Sequence, residues 1–260
     1  MEISRTAPPL GGPVVAAQEW RDVAFVHWRV PQADVAPLLP AGVVPDVFDG
    51  SSWVGLVAFR LEAARIGPLP PAVAWGSFTE VNVRLYGVDA RGRRGVVFRS
   101  LEASSLPAVL AARTLFSLPY MWARTQQRPR PDGWEYASRR ISQSPTKRGP
   151  GFQLAVAIDR TRTVDDELSV FLTARWSLFQ RRFGRTRWLP NEHEPWMLHP
   201  ARLISLRDEL CAAAGLRGLS ARAPDSVLFS PGVHARFGRG QRLSAASSSS
   251  RPSLSGFAIE

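Results

Sequence analysis

The chain has 260 residues, 45% of them hydrophobic, with 9 Trp and 13 Phe, which is ample apolar surface for a packed core and excludes disorder over most of its length. Its net charge of +11 is carried almost wholly by arginine, Lys147 being the only lysine; the arginines fall singly or in twos, as at Arg91, Arg93, Arg94 and Arg99, and no helix-turn-helix, zinc-finger or ribonucleoprotein phrase accompanies them, so no nucleic-acid partner is expected. A lone cysteine, Cys211, excludes an intrachain disulfide and suits a reducing cytoplasm, and neither a signal peptide nor an 18-residue apolar run is found, so no membrane partner is expected.

In chain order, residues 1–19 hold Pro8, Pro9, Gly11, Gly12 and Pro13 and are expected to form a flexible segment. A strand follows over 22–30, then a helix over Gln32–Leu39 stopped by Pro40. Strands are predicted over 53–62, 77–88 and 95–104, the last two joined at the polar, Gly-containing stretch Asp89-Ala-Arg-Gly-Arg as a hairpin. A helix over Leu106–Leu118, stopped by Pro119, precedes strands over 120–126, 134–141 and 152–158. Asp165 and Asp166 open a helix over Val164–Thr173, a strand covers 174–183, and Pro200 at the first position with Gly215 just past the end frames a helix over Pro200–Ala214. A strand over 226–237 is last, before a Ser-rich, disordered tail over 241–260. Residues 20–240 thus read as one β-rich α+β domain, mainly antiparallel.

The chain lacks a phosphate-cradling Gly-rich loop ending in Lys-Ser/Thr, a His-Glu-x-x-His and a Gly-x-Ser-x-Gly, which disfavours known ATPases, zincins and α/β-hydrolases. What stands out is a set of ionisable residues inside apolar strands: Arg29 after Val23-Ala-Phe-Val-His-Trp, Glu80 in Phe78-Thr-Glu-Val-Asn-Val, and Glu102 at the end of Val96-Val-Phe-Arg-Ser-Leu-Glu. Each either faces water from an alternating strand or projects inward, where burial demands a partner or a function. Inward, they supply an arginine to hold a carboxylate and a glutamate to move a proton. His193 and His199 are six apart and so do not share a helical face; no metal site and no cofactor are expected. Cys211, beside Leu210 and Ala212, reads as a small core residue.

The phrases Phe25-Val-His-Trp-Arg-Val-Pro, Leu38-Leu-Pro-Ala-Gly-Val, Phe48-Asp-Gly-Ser-Ser-Trp-Val-Gly-Leu-Val-Ala-Phe, Phe78-Thr-Glu-Val-Asn-Val-Arg, Leu115-Phe-Ser-Leu-Pro-Tyr and Phe229-Ser-Pro-Gly-Val resemble the YqjF-like family, a domain of unknown function similar in fold to acetoacetate decarboxylase. The resemblance implies a conical antiparallel β-barrel with a few short helices. The decarboxylases carry an arginine eleven residues before a proline, matched by Arg29 and Pro40; an aromatic-Thr-Glu phrase, matched by Phe78-Thr79-Glu80; and a His-Glu-x-Trp phrase, matched by His193 to Trp196. Where their Schiff-base lysine and its lysine neighbour follow a proline, this chain has Pro119-Tyr120-Met121.

By this resemblance the barrel binds a small organic acid or carbonyl compound, with Arg29, Glu80, Tyr120, Met121 and His193 lining the site and Glu80 and Tyr120 as its catalytic groups if there is catalysis. The competing expectation is a non-catalytic structural or binding protein with a filled barrel. Homo-oligomerisation is left open. A phenol cannot condense with a ketone to form an iminium; borohydride added with acetoacetate is therefore expected to trap no covalent adduct, and mass spectrometry finding a reduced adduct on Lys147 would overturn that.

Overall fold

The computed structural model describes residues 3–67, 76–142, 144 and 146–243, so the Ser-rich tail from Ser244 lies outside the described residues. Its strands are β1 (Ala16–Val30), β2 (Val43–Pro45), β3 (Ser52–Ile66), β4 (Phe78–Asp89), β5 (Arg94–Ala103), β6 (Tyr120–Arg130), β7 (Gly133–Arg140), β8 (Gly151–Ile158), β9 (Ser177–Arg182), β10 (Arg185–Glu192), β11 (His199–Asp208), β12 (Ser226–Phe237) and β13 (Gln241–Arg242). The helices are α1 (Gln32–Val35), α2 (Leu106–Leu115), α3 (Glu167–Thr173) and α4 (Leu210–Ala213).

The pairing order β5-β6-β7-β8-β11-β12-β1-β3-β4 returns to β5 and closes a nine-stranded barrel. A second circuit leaves the same wall: β9 pairs with β5, β10 with β9, and β10 with β12. The strands β5, β4, β3, β1 and β12 belong to both circuits, so their two faces look into two interiors. Strand period two sorts the side chains between them. Val81, Val83 and Leu85 of β4 join the core formed with Leu154 and Val156 of β8, whereas Glu80, Asn82 and Arg84 face the other interior.

Two bulges keep that sorting in phase. Asp22 holds φ at +51°, the β1–β3 register shifts between Arg21 and Ala24, and the inward set changes parity from Gln18 and Trp20 to Val23 and Phe25. On β5 the register against β4 shifts opposite Val83/Arg84, and Val96 and Phe98 are followed on the same side by Leu101.

The helix expected over Pro200–Ala214 is a correction. Residues 199–208 are strand β11, paired with β8 from Ala201 opposite Ile158 to Asp208 opposite Phe152; alternating exposure along the segment and an available sheet edge override its local helical look. Helix begins only where the Asp208 carboxylate accepts the N–H of Leu210 at 2.9 Å and of Cys211 at 3.2 Å. Strand β10 was not anticipated; it follows β9 through Phe183 and Gly184, both at positive φ, the geometry a tight two-residue hairpin demands. Strand β1 starts at Ala16, before the expected end of the flexible segment, and Gln241 and Arg242 pair with Trp188 and Arg187. The other expected helices are shortened: α1 passes into a 3₁₀ turn at Ala36–Leu38, α2 is capped by Ser105 and ends at Leu115, and α3 is capped by Asp166, which accepts the Ser169 N–H at 2.9 Å.

At Gly133 the backbone of β8 comes so close that an added Cβ would stand 1.9 Å from the Val156 carbonyl oxygen. Backbone cannot swing aside as a side chain can, so Gly133→Ala is expected to part β7 from β8 and lower unfolding free energy by about 2 kcal/mol or more; the urea midpoint reads this directly, and an unchanged midpoint would contradict it.

Candidate ligand-binding site

The second interior is not filled. A cavity of about 80 Å³ lies between the shared strands and the β9–β10 arm, well above the roughly 10–15 Å³ that a single water needs. Its walls are mostly aromatic and aliphatic, and its polar groups are few: Glu80, Asn82, Arg84, Tyr120, Arg175, Asn191 and His193, with Gln18 and Thr173 beside them.

Glu80 and Tyr120 form the centre. The Tyr120 hydroxyl donates to Glu80 Oε2 at 2.6 Å, and Asn82 Nδ2 donates to Oε1 at 3.3 Å. Burial disfavours the charged carboxylate and raises the Glu80 pKa to about 7, against the two hydrogen bonds that favour ionisation. Burial and the neighbouring carboxylate together raise the Tyr120 pKa well above that of a free phenol, so Tyr120 remains the proton donor of the pair.

Two arginines supply positive charge. Arg175 follows α3 and is buried, its side chain 3% exposed. Its Nη1 pairs with Asp46, and the guanidinium lies over the rings of Phe171 and Tyr86 at 4.2 and 4.7 Å. Its Nε and Nη2 have no partner among the described residues. Arg84 donates from Nε to the Tyr86 hydroxyl at 3.0 Å and from Nη2 to the Leu172 carbonyl at 3.2 Å. Gly55 makes this close seating feasible, since an added Cβ would meet the Tyr86 hydroxyl at 2.8 Å and Arg84 Nε at 3.1 Å.

His193 closes one side within an aromatic cluster, its ring 4.6 Å from Trp176, 4.8 Å from Trp196 and 6.0 Å from Trp20. Its Nδ1 lies 2.6 Å from the Glu194 carbonyl oxygen. A carbonyl only accepts, so Nδ1 carries the proton and the neutral ring keeps Nε2 as an acceptor. Burial holds the His193 pKa down at about 4.

Of the residues singled out in the sequence, Glu80, Tyr120 and His193 converge on this cavity, and Arg29 and Met121 do not. Arg29 shares the strand face of Phe25, which lines the cavity, but lies four residues further along, roughly 13 Å at strand rise. There it pairs with Asp49 at 2.9 Å, stacks over Trp53 and is 35% exposed. Met121 follows Tyr120 on β6 and so projects from the opposite face of the strand. Glu102 is fully buried but serves another contact, accepting from Arg140 Nε at 3.1 Å. His199 donates from Nδ1 to the Arg162 carbonyl at 2.7 Å. Lys147 is exposed in its turn and does not line the cavity. The cationic groups are therefore Arg84 and Arg175, which the sequence reading passed over. Arg84 had a signal: Glu80, Asn82 and Arg84 alternate with Val81, Val83 and Leu85, a polar face on an otherwise apolar strand. Arg175 had none beyond its apolar surroundings.

Among the described residues no group of His, Cys, Asp and Glu is placed to hold a metal ion, and no helix is long and apolar enough to cross a membrane. The YqjF protein of Bacillus subtilis strain 168 is 31% identical over 188 residues, 72% of this chain and 76% of that protein. An acetoacetate decarboxylase-like enzyme from Sphingomonas wittichii RW1 has the same fold, with a TM-score of 0.60 at 15% identity over 90% of this chain and 94% of the other. So does the enduracididine biosynthesis enzyme MppR complexed with pyruvate, at a TM-score of 0.56 and 16% identity over 89% and 91% of the two chains. Residues 17–234 match the DUF2071 model, and with an acetoacetate-decarboxylase-like barrel built from that same stretch the chain belongs to the DUF2071 family of uncharacterized conserved proteins.

Proposed function

We propose that the cavity binds a small organic acid, a 2-oxo acid being the simplest fit, with Arg175 and Arg84 holding the carboxylate and the Glu80–Tyr120 pair exchanging a proton with the carbonyl end. The observation that carries this reading is the uncommitted Nε and Nη2 of a buried Arg175 on the wall that also holds Glu80. An arginine fork with two free donors in a water-poor site matches a carboxylate bidentately. A carboxyl group whose pKa is near 7 is at its most effective as a general acid or base near neutral pH. The pyruvate with which MppR is complexed is of the same chemical class. The nine-stranded barrel itself is packed, with Val83 and Leu85 against Leu154 and Val156, but the open second interior and the two unsatisfied donors of Arg175 speak against a purely structural role.

The test is thermal stabilisation and calorimetric binding with pyruvate and 2-oxobutyrate. Arg175→Lys keeps a positive charge beside Asp46 but loses the fork, and affinity is expected to fall about tenfold to a hundredfold, the worth of one charge-assisted contact. Arg29→Met, on the outer end of β1, is expected to leave affinity unchanged. Equal losses in both variants, or no binding by the unaltered protein of these or of longer-chain 2-oxo acids, would overturn the reading.

The raised pKa of Glu80 has a measurable stability signature. A carboxyl group with a folded pKa of about 7 against an ordinary 4.5 binds its proton more tightly when folded, so its contribution falls as pH rises from about 4.5 to 7, by roughly 1.4 kcal/mol per unit at most. His193, with a folded pKa of about 4 against 6.5, acts with the opposite sign over much of that window and masks the slope in the unaltered protein. Glu80→Gln removes only the first effect, so the variant is expected to gain stability relative to the unaltered protein as pH rises from 4.5 to 7; a difference independent of pH would show that Glu80 titrates normally.

A further inference from the structure

A second chamber of about 100 Å³ abuts the first. Gln18, Leu118, Tyr120, Leu178 and Phe237 line both, so the two are separated by no more than the thickness of those side chains. The chamber exists because its walls are cut short: Ala16 and Ala17 of β1, Ala64 of β3, and Ala108 and Ala112 one turn apart on α2 each offer only a methyl group. Leu61, Ile66, Phe78, Phe116 and Leu189 complete an apolar lining. Its polar side chains are Gln18 and Tyr120 on the shared wall and Arg65, which is exposed.

We infer that this chamber takes the hydrocarbon tail of the ligand whose carboxylate is held by Arg84 and Arg175, so that the substrate class is a medium-chain or aryl-substituted organic acid rather than a two- or three-carbon one. The inference rests on the binding reading above and specifies it. The charge distribution sets the direction: Arg175, buried and with two unpartnered donors, and Arg84 line the first chamber and not the second, and among the described residues no buried cation lines the second to compensate a carboxylate. Arg65 does not reverse this, because a solvated surface cation gains little from an anion. The tail passes Tyr120, whose hydroxyl is tied to Glu80, so the carbonyl end of a 2-oxo acid lies next to the proton-transferring pair while the chain runs on beneath α2.

The experiment is a straight-chain series from pyruvate to 2-oxodecanoate, titrated calorimetrically against the full chain. Affinity is expected to rise about fourfold per added methylene until the chamber is full. Ala112→Phe fills the chamber from the helix side and should flatten that rise while leaving pyruvate affinity within about twofold; if it fails to fold, Ala64→Leu, from the strand side, serves instead. Arg65→Ala should leave the series unchanged. Pyruvate binding with no gain along the series, or a gain that survives both filling variants, overturns the chamber and leaves the carboxylate site standing. Absence of binding by every member overturns both. A rise abolished by Arg65→Ala would place the carboxylate at the rim and overturn the assigned direction.

Discussion

The site depends on one buried ion pair. Asp46 follows β2, Arg175 follows α3, and the two meet with both side chains 3% exposed. A cation taken out of water is stable only if its charge is met, and Asp46 meets it on one side, with Arg94 3.6 Å away on the carboxylate's other oxygen. The aromatic faces of Phe171 and Tyr86 hold the guanidinium. Tyr86 in turn receives Arg84 and lies 2.7 Å from the ring nitrogen of buried His27. Burial, aided by both arginines, keeps His27 neutral by holding its pKa well below the ordinary value. Both guanidinium groups are thus fixed by their protein partners, so a carboxylate bound as proposed would not bear the ordering cost that a mobile surface arginine brings.

Around Glu80 the charges are arranged differently. Glu80 has no cation in hydrogen-bond contact, only a phenol and an amide, and so burial rather than ion pairing sets its pKa. Had the arginine of the first strand stood beside it, as the family resemblance implied, the carboxylate would be held ionised and could only accept. The guanidinium groups of Arg84 and Arg175 are tied to Tyr86, Leu172 and Asp46, and Glu80 is bonded to Tyr120 and Asn82, so cations and carboxyl do not neutralise one another, which is the separation that the proposed binding requires.

Strand placement was largely legible because β1, β3, β4 and β5 carry long β-branched and aromatic runs ended by Gly, Pro and Asp. What escaped depended on distant partners. Residues 200–208 become a strand because β8 offers an edge, and no local pattern announces that; the terminal Gly215 and initial Pro200 imitate helix boundaries well enough to mislead. Glu80 and Tyr120 could be paired from the family phrases, but Arg29 could not be rejected without knowing where along β1 the cavity ends. Strand parity gives the face and not the depth, and depth was decisive. Asp22, whose bulge changes that parity midway along β1, is a second feature that pattern reading cannot supply.

Because the wall of five strands serves two interiors, its alternate positions are nearly independent inheritances. Val81, Val83 and Leu85 are committed to packing against β8, while Glu80, Asn82 and Arg84 on the same strand are free of that duty. A lineage built on this wall can exchange the second set, and with it the chemistry of the cavity, without repacking the barrel that the first set holds together. The reverse does not hold, since a slip of one residue in β4 would bring every apolar side chain to the cavity and every polar one to the core. Such a scaffold admits diversification by point substitution and resists it by insertion, which is a reason to look for chemical variety among its relatives at every second residue of the shared strands.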